Sequence, residues 1–242
     1  MLTRAKSVAA ERPKRFYTTA EAGPVDGGLG VLLDGRPVRT PAGTRLTLPT
    51  PALAQQVAAE WAAQGEHIIL SDMLATRLAF TAIDRAAEAR PQVAAEIAAR
   101  AGADVLCYFA EGPDSLVELE TARWGPVLDW AAEALGLELV RVCGLTHRPQ
   151  PEATLERVKT LALDLSDFEL TGMVNAAGLF GSAILAFALQ RGHLGGDEAL
   201  DLSRLDEAFQ EERWGIDDEA AARTANMRRE AGVLERWFAA LR

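Results

Sequence analysis

The sequence predicts an α+β protein, with a small β-rich antiparallel N-terminal domain followed by a larger, mostly α-helical domain. Three observations carry this. The first fifty residues alternate short apolar runs with glycine turns, the strongest being Asp34-Gly35, a pair suited to a tight hairpin. From Thr50-Pro51 onward, the apolar period changes from two residues to about four. The 242-residue chain is 49% hydrophobic and 25% charged, which is globular composition and enough to bury a core without disulfide or metal.

Taken in order, Phe16 and Tyr17 begin an extended segment and Gly27-Gly28 turns it. Gly30 to Leu33 runs into the Asp34-Gly35 turn, and Arg36 to Thr40 returns with Pro37 at an edge. Arg45 to Leu48 alternates as a half-buried strand does. Thr50 is an N-cap with Pro51 at the first helical position, and Leu53, Val57 and Trp61 form one apolar face. Asp72 is placed to cap a second helix and Pro91 to start a third. Ser115 opens a long helix through Trp124, with Gly125-Pro126 expected to bend or interrupt it. Leu137 to Val142 reads as a strand or a connection. Helix resumes after Pro149-Gln150-Pro151. Ser166 to Gln190 reads as one central apolar helix, Asp197 to Gln210 as an amphipathic one, and Asp217 to Ala240 as the last. The domains are thus 1–50 and 51–242, with the boundary falling between residues 50 and 90.

Function classes narrow next. The net charge is -10, which disfavours nucleic acid. The most apolar stretch, Ala176 to Leu189, is too short for a bilayer span of about 20 residues, so no stable membrane insertion is expected. Cys107 and Cys143 have apolar neighbours and no CxxC spacing, and read as reduced, buried thiols. No Walker loop, dinucleotide fingerprint, HExxH or nucleophile elbow occurs, so no catalytic residue, metal ligand or cofactor is assigned. His67, His147 and His193 lack ligand spacing.

Charge is uneven along the chain. Between Asp197 and Glu219 ten carboxylates face two arginines, whereas residues 1–50 carry eight basic groups, Arg4, Lys6 and Arg12 among them, against four acidic ones. The acidic run is either a solvated helical face or a docking surface that steers a basic partner. Trp61 and Trp124 fall on helical apolar faces and read as core. Trp214, followed by Gly215, either packs inside a helix corner or anchors a partner.

The ordered motifs resemble a known family. They are Arg15-Phe16-Tyr17, Val31 to Val38, Thr40-Pro41, Leu48-Pro49, Glu60-Trp61, Gln64-Gly65, Thr76-Arg77-Leu78 and Ala82-Ile83-Asp84. Then come Asp104 to Tyr108, Trp124 to Trp130, Gly181-Ser182, Leu205 to Gln210, Arg213 to Asp217, and Glu219-Ala220. Over residues 13–225 this pattern is similar to the chaperones that assemble the ATP synthase catalytic head, the F(1) sector, by binding its alpha subunit. It departs from the family's Trp-Asp-Pro at Trp124-Gly125-Pro126, and from the Gln often found near Glu120. The resemblance implies a β-rich part and a helical domain, and no enzyme activity. It implies a role in holding unassembled alpha subunit and shielding the surface that later meets the beta subunit. Eukaryotic members are mitochondrial; the short basic leader here implies a bacterial cytoplasmic member, monomeric when free. Glu207, Gln210, Glu212 and Trp214 are the expected partner-binding residues; Trp61, Trp124, Asp34 and Gly35 are structural. Two other classes stand beside this one: a metal-dependent or acid–base enzyme using the 197–219 segment, and a generic helical adaptor.

Overall fold

A computed structural model describes residues 13–144 and 146–242. The leader cations Arg4, Lys6 and Arg12 lie outside the described residues. The fold is α+β. Strands β1 (Ala20–Val25), β2 (Gly28–Leu33) and β3 (Arg36–Pro37) form an antiparallel meander in that order. Asp34 (φ 46°) and Gly35 (φ 78°) both take the left-handed conformation that a two-residue hairpin turn requires. The Asp34 carboxylate also accepts from the Thr18 and Thr19 amides, so this turn clamps the strand entrance. Arg45 to Leu48 does not become a full strand. It follows the sheet through isolated bridges, Arg39–Arg45 and Leu29–Leu48, with the Leu46 amide donating to the Val38 carbonyl at 3.0 Å.

Helix α1 (Pro51–Ala62) starts where expected, with the Thr50 hydroxyl accepting from the Leu53 amide at 3.1 Å. Its buried face is Leu53, Ala54, Val57, Ala58 and Trp61. A turn at Leu70–Asp72 leads to α2 (Leu74–Thr81), and Asp72 does not cap it. The cap comes instead from Glu60 on α1, whose carboxylate accepts from the amides of Ala75 and Thr76 at 2.8 and 2.7 Å. A π-turn (Ala82–Ala86) carries α2 directly into α3 (Ala87–Gly102), so Pro91 lies inside a helix rather than starting one.

After the short β4 (Tyr108–Phe109), α4 spans Asp114–Leu135. Gly125-Pro126 does not interrupt it. Glycine has no Cβ to clash with the proline ring, so it keeps helical backbone before Pro126. Strand β5 (Val142–Cys143) is shorter than expected and pairs parallel with β4. Helix α5 (Glu152–Leu163) follows.

The expected single apolar helix is two: α6 (Asp167–Phe180) and α7 (Ala183–Arg191). Gly181 (φ 64°) ends the first and the Ser182 hydroxyl caps the second. The next expected helix is also split, into α8 (Gly196–Ser203) and α9 (Leu205–Trp214), before α10 (Asp218–Leu241). One apolar core runs from Tyr17 and Val31 in the sheet, through α1 to α4, to Trp237 and Phe238 on α10. Gly172 permits the α6–α10 contact, because a Cβ there would sit 2.7 Å from the Trp237 indole nitrogen. Cys107 is buried and free as expected. Cys143 is free but exposed, because β5 is a short strand at the surface.

Candidate functional site

The α9–α10 corner is built from a short chain of constraints. Arg204 joins α8 to α9, and its guanidinium donates to Glu211 at 2.9 Å, tying the first turn of α9 to the second. Arg213 lies over the Phe209 ring, 3.9 Å from its centroid, and donates to Ser115 of α4 at 3.2 Å. Gly215 (φ 83°) then turns the chain, and the Asp217 carboxylate accepts from Ala220 to start α10. Between these fixed points the apolar side chains are left outside: Trp214 is 78% exposed and Ile216 48%. The packed-corner reading of Trp214 is therefore corrected, because Gly215 turns away before α10 can cover the indole.

The structure also sorts the acidic run. Asp197 and Asp201 both accept from Arg228 on α10 (3.2 and 2.7 Å). Glu211 is held by Arg204, Glu219 by Arg223, and Asp217 serves as a cap. Asp206 faces Glu120 of α4. Four carboxylates remain without an ion pair or side-chain hydrogen bond among the described residues: Glu198, Glu207, Glu212 and Asp218. Glu207, Gln210 and Glu212 are exposed on α9, the helix that ends in Trp214. The structure thus brings the four expected partner-binding residues onto one element. It leaves two carboxylates and one amide unpaired beside an uncovered indole.

The expected structural residues lie elsewhere. Trp61 is 7% exposed, and the Tyr17 hydroxyl donates to its carbonyl at 2.7 Å. Trp124 is buried, and its indole N–H donates to the Leu202 carbonyl at 2.9 Å, which ties the end of α8 to α4. Sequence reading missed three polar groups. Besides Glu60 and Glu120, the fully buried Asp104 accepts from the Leu106 and Ile184 amides at 3.2 and 3.1 Å. Burial pushes its carboxyl up to about 6, against the hydrogen bonds that favour the ion. The Asp104-to-Ser182 spacing carries no sequence signal.

An open groove of about 890 Å³ lies between α1 and α10, lined by Ala52, Ala59, Ala63 and Ala239 and by Glu60. Among the described residues, no three His, Cys, Asp or Glu side chains converge as a metal site. Among those residues too, no helix is long and apolar enough to cross a membrane.

Known proteins place this geometry. A family model described as ATP12 chaperone protein matches residues 14–132. The crystal structure of Atp12 from Paracoccus denitrificans superposes with a TM-score of 0.87 at 38% identity, over 95% of this chain and 99% of that one. The chain belongs to the ATP12 chaperone family. A point mutant of the Paracoccus protein gives the same TM-score and identity, over 98% of its length. The Atu1473 protein of Agrobacterium tumefaciens, a putative chaperone, gives 0.87 at 39% identity, over 95% of this chain and 87% of its own. Protein atp12, mitochondrial, of Schizosaccharomyces pombe is 23% identical over 219 residues, covering 86% of this chain and 75% of that protein. The likeness to the Paracoccus fold extends past residue 132 and so takes in the ATP12-type helical half as well as the sheet.

Proposed function

We propose that this chain is an assembly chaperone of the ATP synthase catalytic head. It holds unassembled alpha subunit, covers the surface that later meets the beta subunit, and docks through the α9–α10 corner. Membership of the ATP12 family carries the role. The observation that carries the location is the uncovered Trp214 indole on a helix whose neighbouring Glu207, Gln210 and Glu212 are exposed and unpaired.

Physically, the task needs no cofactor and no hydrolysis. An isolated subunit exposes apolar surface made for a neighbour, and such surface aggregates. A chaperone that buries about 1,600 Å² in all, with an apolar centre and a polar rim, can hold it reversibly. Release follows when the beta subunit competes for the same surface. In this reading Trp214 is the apolar anchor, Ile216 extends it, and the free carboxylates form the rim. Carboxylates pair with lysine and arginine on the partner and repel acidic competitors. The protein is a chaperone and not an enzyme.

The test is suppression of aggregation. Purified chain at equimolar ratio is expected to keep isolated alpha subunit in solution without added nucleotide. Trp214→Ala is expected to lose most of that protection while folding normally. Full protection by this variant would move the docking surface away from the corner.

A further inference from the structure

The attachment of α9 to α4 contains a polar contact that the rest of the fold does not explain. Glu120 is fully buried on α4. Its Oε2 accepts from the Ala110 amide at 2.7 Å, and its Oε1 is buried with no donor among the described residues. Asp206, in the first turn of α9, has a buried Oδ1 that also lacks a donor. The two side chains lie within hydrogen-bonding reach of each other. Two ionised carboxylates are acceptors only and cannot satisfy one another, whereas one proton between them gives an O–H···O⁻ bond and uses both orphan oxygens.

Among the described residues, no cation supplies the charge instead. Among the described residues, neither carboxylate has an ion pair. On α9, Arg213 is engaged by Phe209 and Ser115, and Arg204 is held by Glu211; Glu207 and Glu212 are exposed. On α4, Arg123 and Glu118 are exposed, and Asp129 pairs with Arg141. Beyond β4, Glu111 is exposed. On α8, Asp197 and Asp201 are engaged by Arg228 and Glu198 is unpaired, while Arg191 at the end of α7 is exposed.

We infer that Glu120 and Asp206 share one proton across the α4–α9 contact, and that Glu120 is thereby the positioning residue that seats α9. The contact lies between two others on α4. Trp124 donates to Leu202 on one side of it, and Ser115 receives Arg213 on the other. Losing the shared proton puts two like charges together in the middle of this seam and frees the helix that ends in Trp214. Burial first, and the hydrogen bond to Asp206 second, hold the Glu120 carboxyl up at about 7. A carboxyl raised in the folded state stabilises it fully below the ordinary carboxylate range, and that contribution is lost as pH rises through the raised value. The seam is therefore tightest in acid solution and loosens progressively as pH rises to neutrality. For the chaperone, this makes grip on the partner pH-dependent, a consequence that rests on α9 being the docking helix.

Hydrogen exchange of the α9 amides from pH 5.5 to 8.5, corrected for intrinsic exchange, tests the pair without any partner. In the wild-type chain, protection of α9 should fall by up to about tenfold per pH unit from pH 5.5 toward the raised value of about 7, the slope of one proton, and level off above it. Glu120→Gln keeps a donor toward Asp206 and an acceptor for Ala110 but cannot ionise, so its α9 protection should be flat across the range. Glu120→Ala should lose protection at every pH. Asp206→Asn removes the second carboxylate but leaves Glu120 buried, so it should make the profile shallower than wild type without flattening it, which covers the case where a Glu120 variant fails to fold. Equal pH slopes in wild type, Glu120→Gln and Asp206→Asn would overturn the inference. Alpha-subunit affinity over the same range is the second readout, expected to weaken with pH in wild type and to stay level in Glu120→Gln. If α9 protection titrates but affinity does not, the shared proton stands and the docking role of α9 falls.

Discussion

The junction of the sheet with α1 and α2, and the corner between α9 and α10, treat polar side chains in opposite ways. At the junction almost every polar group is turned inward and given a partner. Arg15 donates to the carbonyls of Tyr17 and Gln64, and Tyr17 to that of Trp61. Glu60 caps α2, Gln64 bonds both Glu60 and Ile69, and Thr40 donates to Asp84 at 2.7 Å. At the corner, carboxylates stand free and the largest apolar side chain faces water. The first arrangement commits polar chemistry to one fixed geometry. The second leaves it exposed to solvent, where the proposed docking surface would use it. Both belong to motifs of the family pattern, so motif residues divide into those that hold the scaffold and those that face outward.

The sharpest break in that comparison is at Trp61. Trp61→Arg places an unpaired charge in the core and deletes the packing between Tyr17 and α1. The expected cost is about 4 kcal/mol or more, seen as insoluble protein or a collapsed urea midpoint. Trp61→Phe is the control. The indole N–H has no hydrogen-bond partner among the described residues, so its removal loses only packing, expected at below about 2 kcal/mol. Equal melting of Trp61→Arg and wild type would mean that the junction is not core.

Glu60 comes next. Glu60→Ala leaves the Ala75 and Thr76 amides at the start of α2 without their acceptor, at an expected cost of about 2 kcal/mol. Desolvation raises the Glu60 carboxyl above its ordinary range even though three donors from α2 oppose the shift. The folded chain therefore holds this proton more tightly than the unfolded one, and the group's contribution to stability declines as pH rises through its raised value. Urea midpoints of the variant and wild type at pH 5 and pH 7 measure both effects; a difference that grows with pH would contradict the sign.

How much of this was legible depends on distance along the chain. Thr50-Pro51, Asp34-Gly35 and the Leu53-Val57-Trp61 face were readable because cap, turn and periodicity are local. The break at Gly181-Ser182 carried a usable signal, a left-handed glycine followed by a serine cap, masked by the uniformly apolar residues around it. The break at Arg204 carried none, since neither glycine nor proline marks it. The Glu60–Thr76 cap and the Glu120–Asp206 pair join residues far apart in sequence, and only packing brings them together. The corner was legible as a run of acid. Which carboxylates are free depended on where Arg204, Arg223 and Arg228 fall, and that is tertiary information.

At the corner the expected effects move from stability to binding. Trp214→Ala removes a side chain with little packing in the free chain, so its melting point should shift by less than the equivalent of about 0.5 kcal/mol. Its complex with alpha subunit should dissociate faster, at a loss of about 2 kcal/mol that depends little on salt. Surface plasmon resonance alongside a melting curve separates the two quantities. A large melting shift with unchanged dissociation would place Trp214 with the scaffold residues.

The smallest expected effect sharpens the comparison most, because it should touch only the rate of encounter. Glu207 and Glu212 are exposed on α9 and have no ion pair among the described residues, so reversing both to lysine breaks no internal contact seen there. Circular dichroism and the melting point should stay close to wild type. The change replaces two negative charges with two positive ones beside Trp214, which weakens the field that draws in a basic surface. Association should slow several-fold at low ionic strength, with dissociation nearly unchanged, because rim charges act mainly on the approach. At about 0.15 M salt the screening length is near 8 Å, so raising salt should narrow the gap between variant and wild type. The Trp214→Ala defect should persist under the same conditions. Two variants on one helix would then fail in two ways, one in steering and one in anchoring. If the double reversal leaves association unchanged at low salt, the free carboxylates of α9 are only a solvated face, and the contrast with the junction rests on Trp214 alone.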